Sequence, residues 1–127
     1  MELFRPTGRA ERDLVAASGW RAWPPRLPEQ PIFYPVLSFD YAERIARDWN
    51  SVLAAPENEG FVMRFEIDRA TARRYPPQLA GGSSHQELWI PADQLNAFNE
   101  GIVGLIEVVA YYRNGKRVGD GTGASDG

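Results

Sequence analysis

Large apolar side chains alternate with polar ones most clearly along residues 61–67. The apolar members of this run are Phe61, Met63, Phe65 and Ile67. Successive side chains of a strand point to opposite faces, so a period of two predicts a β-strand with one apolar face. Residues 102–113 are dense in β-formers and predict one or two further strands with a bend at Gly104. Shorter strands are predicted at residues 1–5 and 32–34.

Two other stretches have the spacing of amphipathic helices. Ser38 is a predicted N-cap for a helix over residues 39–50, and Thr7 for a helix over residues 9–18 that ends at Gly19. The apolar stripe of the 39–50 helix consists of Ala42, Ile45, Ala46 and Trp49. In the 9–18 helix, the predicted inward residues are Ala10, Leu14 and Ala17, and the predicted solvent-facing ones are Arg9, Glu11, Arg12 and Asp13.

Shorter elements complete the predicted fold. Asp68 is expected to cap a helix over residues 69–74, and Pro91 to begin another over residues 92–99. The four prolines between residues 20 and 31 predict a stiff, packed loop. Because strands and helices follow one another in mixed order, the pattern favours an α+β fold over a doubly wound parallel sheet.

The length of 127 residues suits one domain with a single core, predicted to span residues 1–113. From Asn114 onwards the chain contains five glycines and almost no apolar side chains. Such a composition cannot bury enough surface to offset the entropy of ordering. Residues 114–127 are therefore predicted to form a disordered tail.

Composition narrows the possible chemistry. The chain has no cysteine and one histidine, His85, which excludes thiolate nucleophiles and His-rich zinc sites, and no metal is expected. The net charge of −3 does not favour nucleic acid as a partner, although a cationic rim of Arg21, Arg26 or Arg44 would change that. The sequence has no run of about 18 apolar residues and no pattern of a signal peptide. A cytoplasmic protein without a membrane partner is expected.

Residues 81–91 hold the strongest candidate for chemistry. A glycine-serine run is followed by His85, Gln86 and Glu87, and then by an apolar segment that Pro91 ends. The segment is predicted to be a buried strand, so Glu87 stands where a stiff element meets a loop. Functional carboxylates are often presented in this way.

Other common catalytic arrangements find little support. A Ser-His-acid triad would have to use His85, and the chain has no Gly-x-Ser-x-Gly turn. The paired glycines Gly81 and Gly82 lack the lysine and helix of a phosphate-binding loop. An arginine, tyrosines and a carboxylate remain. This set suits cleavage of a glycosidic bond, where a fixed carboxylate stabilises an oxocarbenium-like transition state.

Three segments together resemble the ADP-ribosyltransferase superfamily. They are Leu3-Phe4-Arg5, then Phe33-Tyr34-Pro35 before a helix with Tyr41-Ala42 and Ile45-Ala46, then Gln86-Glu87-Leu88-Trp89-Ile90-Pro91. More closely, residues 3–112 are similar to a set of small bacterial proteins described as related to ADP-ribosylation. The resemblance implies two split antiparallel β-sheets with short flanking helices and NAD, as substrate, in the cleft between them.

The resemblance also implies roles for individual residues. Glu87 would be the catalytic residue that stabilises the oxocarbenium, and Arg5 would anchor the diphosphate or ribose of NAD. Tyr34, or less directly the helix cap Ser38, would contact the nicotinamide ribose. His85 and Gln86 would complete the NAD-binding set, and residues 79–84 would face the acceptor.

Two functional readings stay open at this point. One is an NAD-dependent mono-ADP-ribosyltransferase or NAD glycohydrolase, which as a bacterial toxin or defence effector would modify an unknown macromolecule. The other is a module of the same fold that binds a nucleotide or a protein without chemistry. His85 stands where arginine-modifying members carry an acid, so the acceptor is not assigned from the sequence.

Overall fold

The computed structural model describes residues 1–80 and 85–119. Its strands are β1 (Glu2–Thr7), β2 (Ile32–Phe33), β3 (Glu59–Ile67), β4 (Gln78–Leu79), β5 (Gln86–Glu87), β6 (Ile90–Pro91), β7 (Ile102–Arg113) and β8 (Lys116–Gly119). Its helices are α1 (Arg9–Ala17), α2 (Phe39–Asp48), α3 (Arg69–Arg74) and α4 (Leu95–Glu100). Short 3₁₀ turns occur at Asn50–Val52 and Ala92–Gln94.

All the strand pairs within the described residues are antiparallel, which confirms the predicted α+β class. The main sheet has the order β1-β3-β7-β8, and two ribbons pair β2 with β6 and β4 with β5. Val36 forms a bridge to Phe4 of β1 and another to Glu87 of β5. The β4–β5 ribbon is therefore tied to the edge of the main sheet through one residue.

Strand β3 is the centre of the core, as its alternation predicts. Phe61, Met63 and Phe65 are fully buried in the main apolar cluster. Val62, on the opposite face, is buried in a second cluster with Ala42 and Ala46 of α2. Both faces of β3 are thus covered, and α2 lies across the sheet near the end of β1.

Two predicted helix caps are confirmed by their hydrogen bonds. The Ser38 hydroxyl accepts from the Tyr41 amide at 3.2 Å, and the Asp68 carboxylate accepts from the Thr71 amide at 2.8 Å. Each bond satisfies an amide that has no partner within the helix. Gly60 sets the packing distance of α2, because a Cβ at this position would lie 2.1 Å from the Ala46 carbonyl oxygen.

The predicted faces of two helices are wrong at particular residues. The three predicted inward residues of α1, Ala10, Leu14 and Ala17, are all exposed, and the predicted solvent-facing Arg12 is buried. The Arg12 guanidinium lies 4.7 Å from the Phe61 ring centre and pairs with Asp13. Gly8, not Thr7, precedes α1, and no side chain caps this helix. Trp49, predicted to be inward, is 72% exposed, because α2 ends at Asp48 and Trp49 lies after its last helical residue.

The predicted start of the disordered tail, at Asn114, is too early in the chain. Asn114 and Gly115 form a turn, with the Asn114 amide donating to the Ser51 carbonyl at 2.8 Å, and Lys116–Gly119 returns along β7 as a strand. Gly115 has a φ of 80°, which suits glycine at a tight turn. Residues 81–84 and 120–127, including most of the predicted acceptor-facing loop and the rest of the tail, lie outside the described residues.

In the part of the chain that the structure describes, no helix has the length and apolar character needed to cross a membrane.

A buried carboxylate joins α1 to the far end of the main sheet. Glu59, whose side chain is 8% exposed, accepts hydrogen bonds from the Arg9 guanidinium and from the Tyr111 hydroxyl. The Arg113 guanidinium donates to the same carboxylate at 3.3 Å. Hydrogen bonding from Arg9, more than the opposing effect of burial, lowers the pKa of Glu59 from 4.5 to about 2.

We predict that Glu59→Gln lowers the free energy of unfolding by roughly 3 kcal/mol at neutral pH, since each unit of pKa shift is worth about 1.4 kcal/mol. The folded pKa lies below the ordinary value, so this stabilisation is full above about pH 5 and is lost as pH falls toward 2. Urea unfolding at several pH values measures it. Glu66→Gln, which alters an exposed ion pair, is the control. An equal effect of both substitutions at pH 7 would contradict the prediction.

Candidate functional site

One pocket of about 330 Å³ lies where β1, α2 and β5 meet. The described residues that line it are Arg5, Pro6, Tyr34, Val36, Tyr41, Ile45, Asn50 and Glu87. They come from four separate segments of the chain. Three of the predicted site residues, Arg5, Tyr34 and Glu87, are among them, so the structure brings these three around one space.

Val36 is the reason that Arg5 and Glu87 face the same pocket. Its amide and carbonyl exchange hydrogen bonds of 2.8 Å with Phe4, the neighbour of Arg5. On its other side Val36 bridges to Glu87, with the Leu88 amide donating to the Pro35 carbonyl at 2.9 Å. Neighbouring strands lie about 4.8 Å apart, so Phe4 and Glu87 are separated by roughly 10 Å across Val36.

Glu87 itself differs from the prediction in its surroundings. It lies within β5, paired to Gln78 of β4, and the strand ends immediately after it. The predicted strand over residues 88–90 is not formed, since Leu88 and Trp89 lie between β5 and β6. Leu88 and Ile90 are buried as predicted, whereas Trp89 is 47% exposed. Among the described residues, none forms a hydrogen bond or an ion pair with the Glu87 side chain. Glu87 thus lines the pocket with a carboxylate that no described residue engages.

Arg5, in contrast, is already engaged. Its Nε and Nη2 donate to the two carboxylate oxygens of Glu11 at 2.9 Å and 3.0 Å, and its Nη1 donates to the Tyr34 carbonyl at 3.4 Å. The Arg5 side chain is 14% exposed. A paired fork of this kind fixes the guanidinium plane. Glu11 on α1 therefore sets the orientation of Arg5 in the pocket wall.

A second arginine shares the same carboxylate. Nη1 of Arg26, from the proline-rich loop, lies 3.6 Å from Glu11, and the Arg26 side chain is only 9% exposed. Both guanidinium groups lie against the Phe33 ring, at 4.9 Å for Arg5 and 5.6 Å for Arg26. We refer to these residues as the Arg5–Glu11–Arg26 cluster. Two guanidinium groups and one carboxylate leave it with one net positive charge.

The surplus charge of the cluster has an electrostatic consequence at Arg26. Burial, and then the nearby charge of Arg5, lower the pKa of Arg26 below its ordinary value. Its Nε is buried and has no hydrogen-bond partner among the described residues. A buried donor without a partner is costly. The sequence showed Arg26 as one of several loop arginines, and nothing in the loop pattern indicated that its guanidinium is buried.

The other predicted residues lie at the margin of the pocket or outside it. The His85 ring stacks on Tyr41, with 4.4 Å between ring centres and 1° between planes. Ser38 caps α2, and Gln86 is exposed in β5 with its carbonyl accepting from the Leu37 amide at 3.1 Å. Ser38 and Gln86 are not among the described residues that line the pocket, so direct contact of either with a ligand there is not supported.

Sequence reasoning missed two polar residues of the pocket wall. Tyr41 lies in the first turn of α2, and Asn50 follows the end of that helix. The Asn50 Oδ1 is buried without a hydrogen-bond partner among the described residues. Tyr41 precedes the stripe residue Ala42, so the helical period could have indicated that Tyr41 lies at the border of the apolar stripe. Asn50 gave no such signal, because its position depends on how the helix ends.

Comparison of the chain with protein-family models, curated proteins and solved structures finds no significant match. Within residues 1–80 and 85–119, no group of three or more histidine and acidic side chains is arranged to hold a metal ion.

We predict that Glu11→Gln lowers the free energy of unfolding by roughly 3–5 kcal/mol, because it leaves two buried guanidinium groups without a counter-charge. Adding Arg26→Met to this variant should recover part of the loss, since one of the two unpaired charges is then removed. Glu2→Gln, at a half-exposed pair with Arg64, should cost less than about 1 kcal/mol. Urea unfolding of the four proteins measures these differences. If Glu11→Gln is as mild as Glu2→Gln, Glu11 does not hold the cluster together.

Proposed function

We propose that this chain has an ADP-ribosyltransferase-like fold and cleaves the nicotinamide–ribose bond of NAD, passing ADP-ribose to a macromolecule or to water. One observation carries the proposal: Arg5, Tyr34 and Glu87, remote in sequence, all line one pocket. These are the residues that the resemblance assigns to NAD. Their convergence is what such an enzyme needs, since positioning and charge stabilisation do most of the work in glycosyl transfer.

The charges of the pocket suit a ligand that is cationic at one end and anionic at the other. Glu87 and Arg5 both line the pocket, and Arg5 belongs to the Arg5–Glu11–Arg26 cluster, which carries a net positive charge. A nicotinamide nucleotide has this arrangement of charge, with a pyridinium ring joined through ribose to phosphate. Opposite charges placed in a partly buried site orient a dipolar ligand more strongly than in open water.

Glu87 is the residue to which we assign the chemical step. Its carboxylate would accept a hydrogen bond from the ribose 2′-hydroxyl and stabilise positive charge as the bond between ribose C1′ and the ring nitrogen breaks. The bonding electrons leave with nicotinamide, which becomes neutral. The acceptor oxygen or nitrogen then adds to C1′ and loses its proton. Among the described residues no cation is paired with Glu87, so its carboxylate is available for this role.

A second candidate function is binding of a nucleotide or a protein without chemistry. The observation that favours it is the ion pair between Arg5 and Glu11. Because Nε and Nη2 of Arg5 already donate to Glu11, fewer donors remain for an incoming phosphate. Calorimetry with NAD tests both candidates. Absence of binding at millimolar NAD would contradict both NAD-dependent readings and leave a role in protein interaction.

We predict that wild-type protein releases nicotinamide from NAD and that Glu87→Gln slows this release by about 10²–10³-fold while the protein stays folded, because only the transition-state charge loses its partner. Glu107→Gln, an exposed acid on β7, is the matched control and should retain full activity. Nicotinamide release by chromatography and folding by circular dichroism are the measurements. Equal inertness of wild type and Glu87→Gln, both as hydrolases and with several candidate acceptors, would contradict the enzymatic proposal.

A further inference from the structure

Two large aromatic side chains stand exposed beside the pocket. Tyr34 is 40% exposed and Trp89 is 47% exposed. Their ring centres are 6.5 Å apart and the planes meet at 86°. We refer to this pair as the aromatic corner. Two rings at right angles offer an incoming ring a stacking contact with one and an edge contact with the other, the two geometries that aromatic groups favour.

The fold holds the aromatic corner rigidly. Phe33 of β2 pairs with Ile90 of β6, and both are fully buried. Tyr34 and Trp89 are the residues that adjoin this pair, and side chains of neighbouring residues in extended chain point to opposite faces. Burial of Phe33 and Ile90 on one face therefore directs Tyr34 and Trp89 to the other. A platform fixed in this way loses little conformational freedom when a ligand binds.

The aromatic corner is continuous with the pocket. Tyr34 belongs to both, and Trp89 follows the pocket residue Glu87 by two positions. The Arg5 guanidinium donates to the Tyr34 backbone carbonyl at 3.4 Å, so a cationic group is bonded to the segment that carries one of the two rings. A planar surface beside a positive charge fits a group that combines an aromatic ring with an anion, and nucleotides have this chemistry.

The size of the pocket adds an independent argument. Its volume of about 330 Å³ is at the low end of the range of ligand pockets, which is about 300–1,000 Å³. A dinucleotide has two ring systems joined by a diphosphate, so a molecule of that size placed in the pocket must extend beyond it. The aromatic corner, which shares Tyr34 with the pocket, is an exposed aromatic surface onto which such a molecule could extend.

We propose that the aromatic corner is a subsite for the nucleobase of a nucleotide whose anionic part lies toward Arg5. This inference deepens the proposed function, on which it rests for the use of the pocket. The base has two possible sources, the second ring of NAD itself or a nucleotide acceptor, and the same stacking chemistry recognises both. Stacking of one base on an aromatic side chain is worth about 5- to 150-fold in affinity, the equivalent of about 1–3 kcal/mol.

The test compares three small probes with the full chain by calorimetry: AMP, adenosine and ribose 5-phosphate. AMP carries both the base and the anion, and each of the others lacks one of them. We expect AMP to bind most tightly. If ribose 5-phosphate binds as tightly as AMP, the base makes no contact and the proposal is overturned. If adenosine binds as tightly as AMP, the assignment of the anionic part to the Arg5 side is overturned.

Variants locate the base. Trp89→Leu should weaken AMP binding at least about 5-fold, and Trp89→Phe, which keeps a ring, should retain most of it. Trp49→Leu removes another exposed tryptophan, outside the aromatic corner, and should leave the affinity unchanged. Circular dichroism checks that each variant is folded. Unchanged AMP affinity in folded Trp89→Leu, or an equal loss in Trp49→Leu, would overturn the subsite.

The same variants separate this inference from the proposed function and identify the source of the base. If Trp89→Leu weakens NAD and AMP alike, the base is that of the dinucleotide. If it weakens AMP alone, the base is that of an acceptor, and both results support the subsite. The binding measurements need no turnover. The outcome of the nicotinamide-release test with Glu87→Gln is therefore independent of these binding measurements.

Discussion

The pair of backbone bridges at Val36 is the contact on which the pocket depends. Val36 is the residue through which the edge of the main sheet, at Phe4, meets the β4–β5 ribbon, at Glu87. Its two 2.8 Å hydrogen bonds with Phe4 are those of a regular antiparallel pair. Pro35 beside it has no backbone N–H to donate, yet its carbonyl accepts a hydrogen bond from the Leu88 amide. A single extended residue thus serves as a strand and sets the spacing between an arginine and a carboxylate.

The two sides of that pocket are unequal in a way that bears on its chemistry. On the arginine side, the positive charge is partly neutralised within the protein, since the Glu11 carboxylate accepts two hydrogen bonds from Arg5 and also pairs with Arg26. The carboxylate side is not compensated by the described residues. Burying ionic groups costs free energy unless each is paired. The arginines are paired with Glu11, a residue of the protein itself. Among the described residues Glu87 has no such partner, so water or a ligand must solvate its charge.

Much of the fold follows from local sequence, and the exceptions share one cause. The alternation in β3 and the caps at Ser38 and Asp68 could be predicted because they depend on neighbours in sequence. Arg12 and Trp49 could not, because the Phe61 ring that covers the Arg12 guanidinium is 49 positions away, and the exposure of Trp49 depends on where α2 ends. The turn at Asn114 was missed for the same reason, since its amide donates to Ser51.

The candidate site divides in the same way. Arg5, Tyr34 and Glu87 could be proposed because each stands in a short segment with its own pattern, and the order of those segments suggested that they meet. Glu11 and Arg26 could not, because on α1 and in the proline-rich loop they look like ordinary surface charges. Their burial comes from contacts remote in sequence, since Glu11 pairs with Arg5 and Arg26, and Arg26 lies against the Phe33 ring.

That packing also limits how Arg5 can act. With Nε and Nη2 held by Glu11, a ligand that approaches from the pocket meets a fixed guanidinium whose net charge is shared with Arg26. Such a group attracts an anion without having to reorganise, but it offers fewer donors than a free fork. The selectivity of the pocket should therefore depend on the uncompensated carboxylate of Glu87 and on the exposed rings near it more than on tight capture of phosphate. A ligand that combines a positively charged ring with a second planar ring satisfies both demands.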